Sequence, residues 1–403
     1  MTTVQSPSKS TPVLGINPRL TSLMIVAAVS PLAINIFLPS IPKLIDYFKT
    51  DYATAQLGLS LFLAAMSVLQ LLIGPLSDKY GRRPIMIGGI LMFLLGTLIC
   101  LAAPSIHVFL IGRLVQAFAV AGIVLSRAIV RDLVSREKSA SAIGYVTMGM
   151  AVAPMIGPAI GGLLDEIYSW QASFILLGFL GSIALVFVVT NIPETNANRG
   201  APIIAQLANY RLLLGTPAFW LYAGTGATAA GVFFGFLGAA PALASGPLGL
   251  TPSQYGLWFV ITAFGYLVGN FISGRFSERQ GIRRMIIQGT VITLAGCAMP
   301  FLLFPFTGVT SLALFGPLLL VGIGNGMALP STTAAAISVR PEAAGAASGL
   351  IGALQTGVGA VLSSVCGVVV AGGTAPIAFA AVIFAVGILS VVLATLKPKT
   401  AQP

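Results

Sequence analysis

The stretch GPLSDKYGRRP, from Gly74 to Pro84, is the part of the sequence that decides the fold. Its pattern returns as GRFSERQGIRR, from Gly274 to Arg284, so that glycine, serine, an acid, a base, a second glycine and an arginine recur at an offset of 200 residues. A register kept over this many positions indicates two duplicated halves with parallel topology.

Both copies lie between long apolar stretches. Hydrophobic residues make up 57% of the 403 residues and charged residues only 8%, against roughly 25% charged residues in a soluble domain. Twelve apolar stretches are each long enough to cross a bilayer as a helix. They begin near Leu20, Thr54, Pro84, Ile106, Ser139, Trp170, Thr216, Ser253, Arg284, Thr310, Ala343 and Thr374. We therefore predict an all-α membrane protein with twelve transmembrane helices in two pseudo-symmetric six-helix bundles.

The longest polar connection separates the first six stretches from the last six. It runs from Asn191 to Gly215 and contains IPETNANRGAP, as a linker between two half-domains would. The predicted organisation is a tail at 1–19, a bundle at 20–191, a linker at 192–215, a second bundle at 216–395 and a tail at 396–403.

The net charge of +11 comes from residues in the short loops between stretches, so it does not indicate nucleic-acid binding. Of the 21 Lys and Arg residues, Lys43 and Lys49 fall in predicted outer loops, Arg113 falls within a stretch, and the other 18 lie on the side of the termini. The positive-inside rule then predicts a multi-pass protein of the bacterial inner membrane with both termini in the cytoplasm.

Catalytic and metal chemistry have little to be built from in this sequence. The three cysteines lie in separate apolar stretches, and His107 is the single histidine. The sequence contains no phosphate-binding loop and no usable nucleophile and base pair. We expect no enzyme activity, no cofactor and no metal, and we expect a monomer that contacts membrane lipid and a small-molecule substrate.

The GPLSDKYGRRP loop resembles the signature that the major facilitator superfamily carries between its second and third helices. This resemblance implies a gating role for the loop in each half, with the alternative that its charges only anchor the topology. We expect Gly74 to permit close helix packing and Asp78 to lie at a neighbouring helix N-terminus. The gating residues predicted from the two copies are Gly74, Asp78, Gly81, Arg82, Arg83, Glu278 and Arg283.

Two further motifs are similar to those of the same superfamily. RLVQAFAVAG, from Arg113 to Gly122, looks like its helix 4 motif, and an arginine inside the membrane is a functional candidate unless its side chain reaches the interface. APMIGPAIGG, from Ala153 to Gly162, resembles the helix 5 motif of its exporters. Small residues there allow close packing across the half-domain boundary, and proline allows a kink. The predicted hinge residues are Gly157, Pro158, Gly161 and Gly162.

Within the superfamily, the chain is similar to the Bcr/CflA drug-resistance transporters in FLPSIP at Phe37, RAIVRDL at Arg127 and IPET at Ile192. That family has an acidic residue four positions before the proline of the first helix, where this chain has Asn35. Because Asn35 cannot titrate, Asp132 is the nearest substitute for proton coupling, with a structural ion pair as the alternative. Coupling through Asp132, coupling through protonation of the substrate and passive transport all stay open.

The resemblance implies a secondary exporter of small amphipathic molecules that works by alternating access, with proton antiport as the family's usual coupling. The alternative is a facilitator, or a transporter of a physiological metabolite or siderophore. Arg113 without a buried carboxylate favours neutral, zwitterionic or anionic cargo. The residues predicted to contact cargo are Asn35, Arg113, Gln116, Met148, Phe233, Phe236, Tyr266, Asn325 and Gln355.

Overall fold

The computed structural model describes residues 18–133, 146, 150, 154, 156–196, 200, 203–372 and 376–396. Eleven helices in these ranges are long and apolar enough to cross a membrane. They are α1 (Leu20–Phe48), α2 (Tyr52–Tyr80), α3 (Arg82–Leu101), α4 (Ile106–Leu133), α6 (Trp170–Asn191), α7 (Pro217–Ser245), α8 (Pro252–Gln280), α9 (Ile282–Thr307), α10 (Ser311–Ser338), α11 (Ala344–Ala371) and α12 (Pro376–Thr395). The fifth stretch, α5, is helical at 156–167, and its predicted start at Ser139 lies outside the described residues.

The described helices begin within two residues of the predicted positions. The difference reaches two residues at α2, α3, α9 and α12; α3, for example, begins at Arg82 rather than Pro84. The interval 192–215 also contains a helix, Ile203–Leu214, which we call the linker helix. The fold is an all-α membrane fold, and apolar length alone was sufficient to locate its spans.

The spans α1 and α4 are interrupted, and each interruption frees backbone groups. In α1 the helix Pro18–Asn35 gives way to a 3-10 turn at Leu38–Ser40 and then to Ile41–Phe48, because prolines at 39 and 42 have no amide to donate. In α4 a short 3-10 segment at Ala117–Ala119 separates the two helical parts. The last carbonyls of a helix have no partner within it, so these breaks leave acceptors for side chains to use.

The helices pack as two bundles that meet along α2 and α11. Within the C-terminal bundle α7 packs on α11 and α12, and α10 packs on α8 and α9. We call the end that carries the loops at Gly81 and Gly281 the motif end, and the end that carries the loop before α2 and the loop before α8 the opposite end. Large apolar side chains such as Phe271 and Phe306 point outward, as expected where lipid is the solvent.

Candidate functional site

The seam between α2 and α11 joins the two halves through polar contacts inside the membrane. Gln56 is buried, and its Nε2 donates to the Ser363 Oγ at 2.7 Å and to the Ser363 carbonyl at 3.0 Å. Toward the middle of the seam, the Ser67 hydroxyl donates to the Ala353 carbonyl at 2.7 Å. Such bonds are made in a medium that offers no water as a replacement, so the seam holds the halves together at this face.

The glycines of the α5 motif bring backbones into direct contact. A Cβ built on Gly161 would lie 1.8 Å from the Ile36 carbonyl of α1, and one on Gly162 would lie 2.1 Å from the Pro252 carbonyl of α8. From the other side, a Cβ on Gly256 of α8 would lie 2.3 Å from the Pro158 carbonyl. The α5 helix is therefore wedged between α1 of its own half and α8 of the other, as the motif predicted.

These contacts concentrate at the opposite end of the molecule. There the Tyr52 hydroxyl donates to the Gly238 carbonyl of α7 at 2.7 Å. The Glu166 carboxylate lies beside Thr251 and Ser253, at the start of α8. The turn at Leu38–Ser40 also packs against α8. The described parts of α1, α2 and α5 thus meet α7 and α8 where the chain closes this end.

Arg113 lies inside the N-terminal bundle and has no exposed surface. Its Nε donates to the Gly58 carbonyl of α2 at 2.9 Å, and its Nη2 donates to the Ala33 carbonyl of α1 at 3.2 Å. The rings of Phe37 and Phe62 lie 4.2 and 4.4 Å from the guanidinium carbon. Carbonyl groups and aromatic faces compensate the charge here, since no described carboxylate lies within ion-pair distance. A contact with cargo would require these rings to move.

Gln116 also points into the N-terminal bundle. Its Oε1 accepts from Nη1 of Arg113 at 2.7 Å, and its Nε2 donates to the Thr97 hydroxyl of α3 at 2.8 Å. Both ends of the side-chain amide are satisfied. Gly96 allows α3 to approach Gln116 closely, because a Cβ there would lie 2.5 Å from the backbone nitrogen of Gln116. The structure therefore does not bring Gln116 to the boundary between the halves.

Asn35 is buried at the end of the first helical part of α1. Its Nδ2 donates to the Pro31 carbonyl at 2.8 Å, and its Oδ1 has no hydrogen-bond partner among the described residues. Its Cβ lies 3.3 Å from the position that a Cβ on Gly157 would occupy, so it faces α5. An unsatisfied buried acceptor is costly, and a donor group on a cargo molecule would relieve that cost.

The C-terminal residues predicted to contact cargo fall into two groups. Phe236 packs in an aromatic cluster with Phe259, Phe315 and Phe379, with ring centroids about 6 Å apart, which is a packing role. Oδ1 of Asn325 and Nε2 of Gln355 have no partner among the described residues, and Tyr266 and Phe233 are half-buried. Met148 lies outside the described residues.

The loop motif of the N-terminal half is the centre of an ion network, which we call the motif cluster. Arg82 pairs with Asp78 one turn before it and with Asp132 at the end of α4, where its Nε lies 3.3 Å from Oδ2. The Thr195 hydroxyl donates to the same Asp132 oxygen at 3.0 Å. Asp132 is therefore held in an exposed ion pair at the motif end. A structural ion pair is the alternative to proton coupling that the sequence offers for this residue.

Glu194, which sequence reasoning did not select, caps the helix that follows the motif. Its Oε1 accepts from the backbone amide of Arg82 at 2.9 Å, and its Oε2 accepts from that of Arg83 at 3.2 Å. A carboxylate at a helix N-terminus is stabilised by the free amides and by the helix dipole. The placement of Asp78 at a neighbouring helix N-terminus stays a prediction, and at the start of α3 the capping carboxylate is that of Glu194 in the IPET stretch.

Glycine has different uses within the motif. Gly81 has φ 106° and Gly281 has φ 84°, a backbone region that other residues avoid. Our expectation that Gly74 permits close packing is wrong, because a Cβ there, or on Gly274, would meet no atom within 4 Å. Gly74 lies on a face of α2 that points away from the backbone of neighbouring helices.

The linker helix packs against α2 near the motif. The Tyr210 hydroxyl donates to the Leu71 carbonyl at 3.1 Å. Burial raises the pKa of Tyr210, and the nearby Asp78 carboxylate raises it further. In the second copy, Arg283 Nη2 donates to the Thr395 carbonyl of α12 at 2.9 Å, as Arg83 Nη2 does to the Val189 carbonyl of α6 at 2.7 Å. Glu278 is exposed.

Comparisons with known proteins agree with this architecture. A family model described as Major Facilitator Superfamily matches residues 23–352 and 229–403. The chain is 32% identical to a chloramphenicol resistance protein of Pseudomonas aeruginosa, over 78% of this chain and 73% of the relative. It is 28% identical to multidrug resistance protein D of Escherichia coli (86% and 87% covered) and 28% identical to a bicyclomycin resistance protein homolog of Haemophilus influenzae (85% and 87% covered).

The fold is also similar to that of solved structures. The crystal structure of the human organic anion transporter MFSD10 (TETRAN) superposes with a TM-score of 0.67, covering 94% of this chain and 99% of that one. Sequence identity over this superposition is 18%, so the similarity concerns the arrangement of helices.

Proposed function

This chain belongs to the major facilitator superfamily, and within it to the Bcr/CflA family, and we propose that it exports small amphipathic molecules by alternating access. The observation that carries the proposal is the backbone contact of α5 with α8. Gly162 and Gly256 allow two helices of different halves to touch where alternating access must separate them. The same α5 stretch carries the motif typical of exporters.

The chain is a multi-pass protein of the bacterial inner membrane, and we place both of its termini in the cytoplasm. Support for this orientation comes from the basic residues, 18 of 21 of which lie on the side of the termini. The opposite end is then periplasmic, and its contacts hold that side closed. A periplasmically closed exporter is in the state that receives cargo from the cytoplasm.

The cargo that fits this interior is neutral, zwitterionic or anionic. Arg113 is enclosed within the N-terminal bundle, so it acts on cargo only through its positive charge, which carbonyls and aromatic rings rather than a described carboxylate balance. A lipophilic cation would therefore have no counter-ion at this depth, and its desolvation would be expensive. Candidate cargo contacts are the unsatisfied polar atoms of Asn35, Asn325 and Gln355.

A facilitator without proton coupling is the second candidate, because neither of the two residues considered for proton coupling suits that role. Asn35 has no titratable group, and Asp132 is an exposed member of the motif cluster. Proton antiport would have to use another carboxylate or the substrate itself.

Transport of radiolabelled chloramphenicol into proteoliposomes tests these proposals. Vesicles with an acidic lumen and vesicles without a pH gradient are compared, with ethidium as a cationic probe and with empty liposomes and Gly162→Leu as controls. We expect uptake of chloramphenicol but not of ethidium. Uptake above the equilibrium level only with the gradient indicates antiport, and equilibration at the same rate in both vesicles indicates a facilitator. No protein-dependent flux of any compound in the panel would contradict the export proposal.

A further inference from the structure

A crevice opens at the motif end of the C-terminal bundle, between α7, α9 and α12. Its walls are mostly apolar, and one guanidinium stands among them. The lining includes Leu221, Tyr222, Arg283, Ile286, Leu393 and Leu396. Leu396 is 49% exposed and Ile282 beside the crevice is 42% exposed, so the crevice faces the surroundings of the bundle rather than the boundary between the halves.

Arg283 of this crevice belongs to a group of basic residues at the motif end. Arg275, Arg279, Arg283 and Arg284 are all exposed within ten residues of the chain, and Glu278 is the acid among them. Arg283 uses one Nη2 hydrogen bond on the Thr395 carbonyl of α12, which holds its guanidinium at the crevice. The structure records no ion pair between any of these arginines and a described carboxylate. A surplus of positive charge at a membrane interface attracts anionic headgroups.

The other half of the molecule shows where an anion lies in this motif. There the Glu194 carboxylate accepts from the backbone amides of Arg82 and Arg83 at the start of α3. The matching start of α9 follows Gly281, which repeats the positive φ of Gly81, and no hydrogen bond from its first amides to a described carboxylate is recorded. The repeat thus keeps the same turn at the start of both helices, while a described carboxylate occupies it only in the first half.

We propose that the crevice between α7, α9 and α12 is a binding site for an anionic phospholipid from the leaflet at the motif end. The lipid phosphate lies at Arg283 and Arg284. It corresponds to the Glu194 carboxylate at the matching turn of the first half. One acyl chain packs against Leu221, Ile286 and Leu393. A free phosphate ion would satisfy the arginines but would leave the apolar walls unused.

Binding of phosphatidylglycerol to the purified full-length chain tests the site, measured by native mass spectrometry across a lipid titration. Phosphatidylcholine of the same chain length is the neutral comparison, and glycerol phosphate is the headgroup without acyl chains. The variants are Arg284→Gln, the pair Arg283→Gln/Arg284→Gln, and Leu393→Trp, which fills the crevice without changing charge. Lys79→Gln is the matched control, since it removes one exposed charge at the same end of the other half.

We expect binding to weaken about fivefold in Arg284→Gln and about 25-fold in the pair, since each basic side chain near anionic lipid contributes a similar increment. Leu393→Trp weakens binding while Lys79→Gln leaves it unchanged. Equal affinity for phosphatidylcholine, equal affinity for glycerol phosphate, or undiminished binding in both the arginine pair and Leu393→Trp would each overturn the proposal. Leu393→Trp retains the Arg283 contact with α12, so it tests the site even if the arginine pair folds poorly.

Discussion

The two copies of the loop motif share a backbone but not an ion network. In the first copy Arg82 joins Asp78 to Asp132, whereas the matching position in the second copy is Ile282, which is 42% exposed. The acids are also unevenly distributed, since eight of the ten lie before residue 200. Both copies therefore have the same turn and its glycine. Among the described residues, only the first copy has an arginine that joins two carboxylates, as Arg82 does in the motif cluster.

The turn glycines give the largest expected effect and should affect both copies alike. Gly81→Ala and Gly281→Ala each place a Cβ in a backbone region that costs about 2 kcal/mol. We expect each variant to lose about that much free energy of unfolding, measured by denaturant titration in mixed micelles. A loss confined to Gly81→Ala would show that the second turn is not held in the same conformation and would break the comparison.

Two substitutions at matching positions, Arg82→Ile and Ile282→Arg, test whether the two copies differ in their effect on transport. Arg82→Ile removes both ion pairs of the motif cluster, and we expect chloramphenicol transport to fall about tenfold, equivalent to about 1.4 kcal/mol. Ile282→Arg places the new charge one turn after Glu278 but meets no acid among the described residues at the end of α10, so transport should stay within twofold, on the order of ordinary surface substitutions. Similar losses in both variants would mean that the network has no special role in the first half.

Glu194→Gln tests the helix cap that the described residues form only in the first copy. Loss of the carboxylate from the start of α3 should lower the free energy of unfolding by about 1 kcal/mol. Glu278→Gln, the matched control, removes an exposed acid that has no described ion pair and should change stability by less than about 0.5 kcal/mol. The same denaturant titration measures both. An unchanged free energy of unfolding in Glu194→Gln would contradict the capping role.

The smallest effect is expected at the first glycine of each copy. Gly74→Ala and Gly274→Ala add a methyl group where nothing lies within 4 Å, so we expect changes within about 0.5 kcal/mol in either direction. Unfolding and chloramphenicol transport are measured together. A loss of transport at Gly74 but not at Gly274 would indicate that another conformation brings a neighbour to this position in the first half alone.

Sequence reasoning found the residues that matter for packing at α5 and missed the cap. The order GPxxGG predicted close approach of α5 to its partners, and the Gly161 and Gly162 contacts agree with it. Glu194 carried only a weak signal, an acid directly after the sixth span. Its partners at Arg82 and Arg83 lie more than 100 residues earlier, so no local pattern could connect them.

The sequence by itself determined the number and position of the apolar spans that the structure describes, the duplication, and the family. Apolar length and a repeated polar signature are properties of the chain alone. Only the tertiary structure decided which way each side chain faces. A helix that is apolar on all sides has no amphipathic stripe to mark its buried face. For that reason Arg113 and Gln116, expected at a cargo cavity, are enclosed within one bundle by backbone carbonyls and rings that distant helices supply.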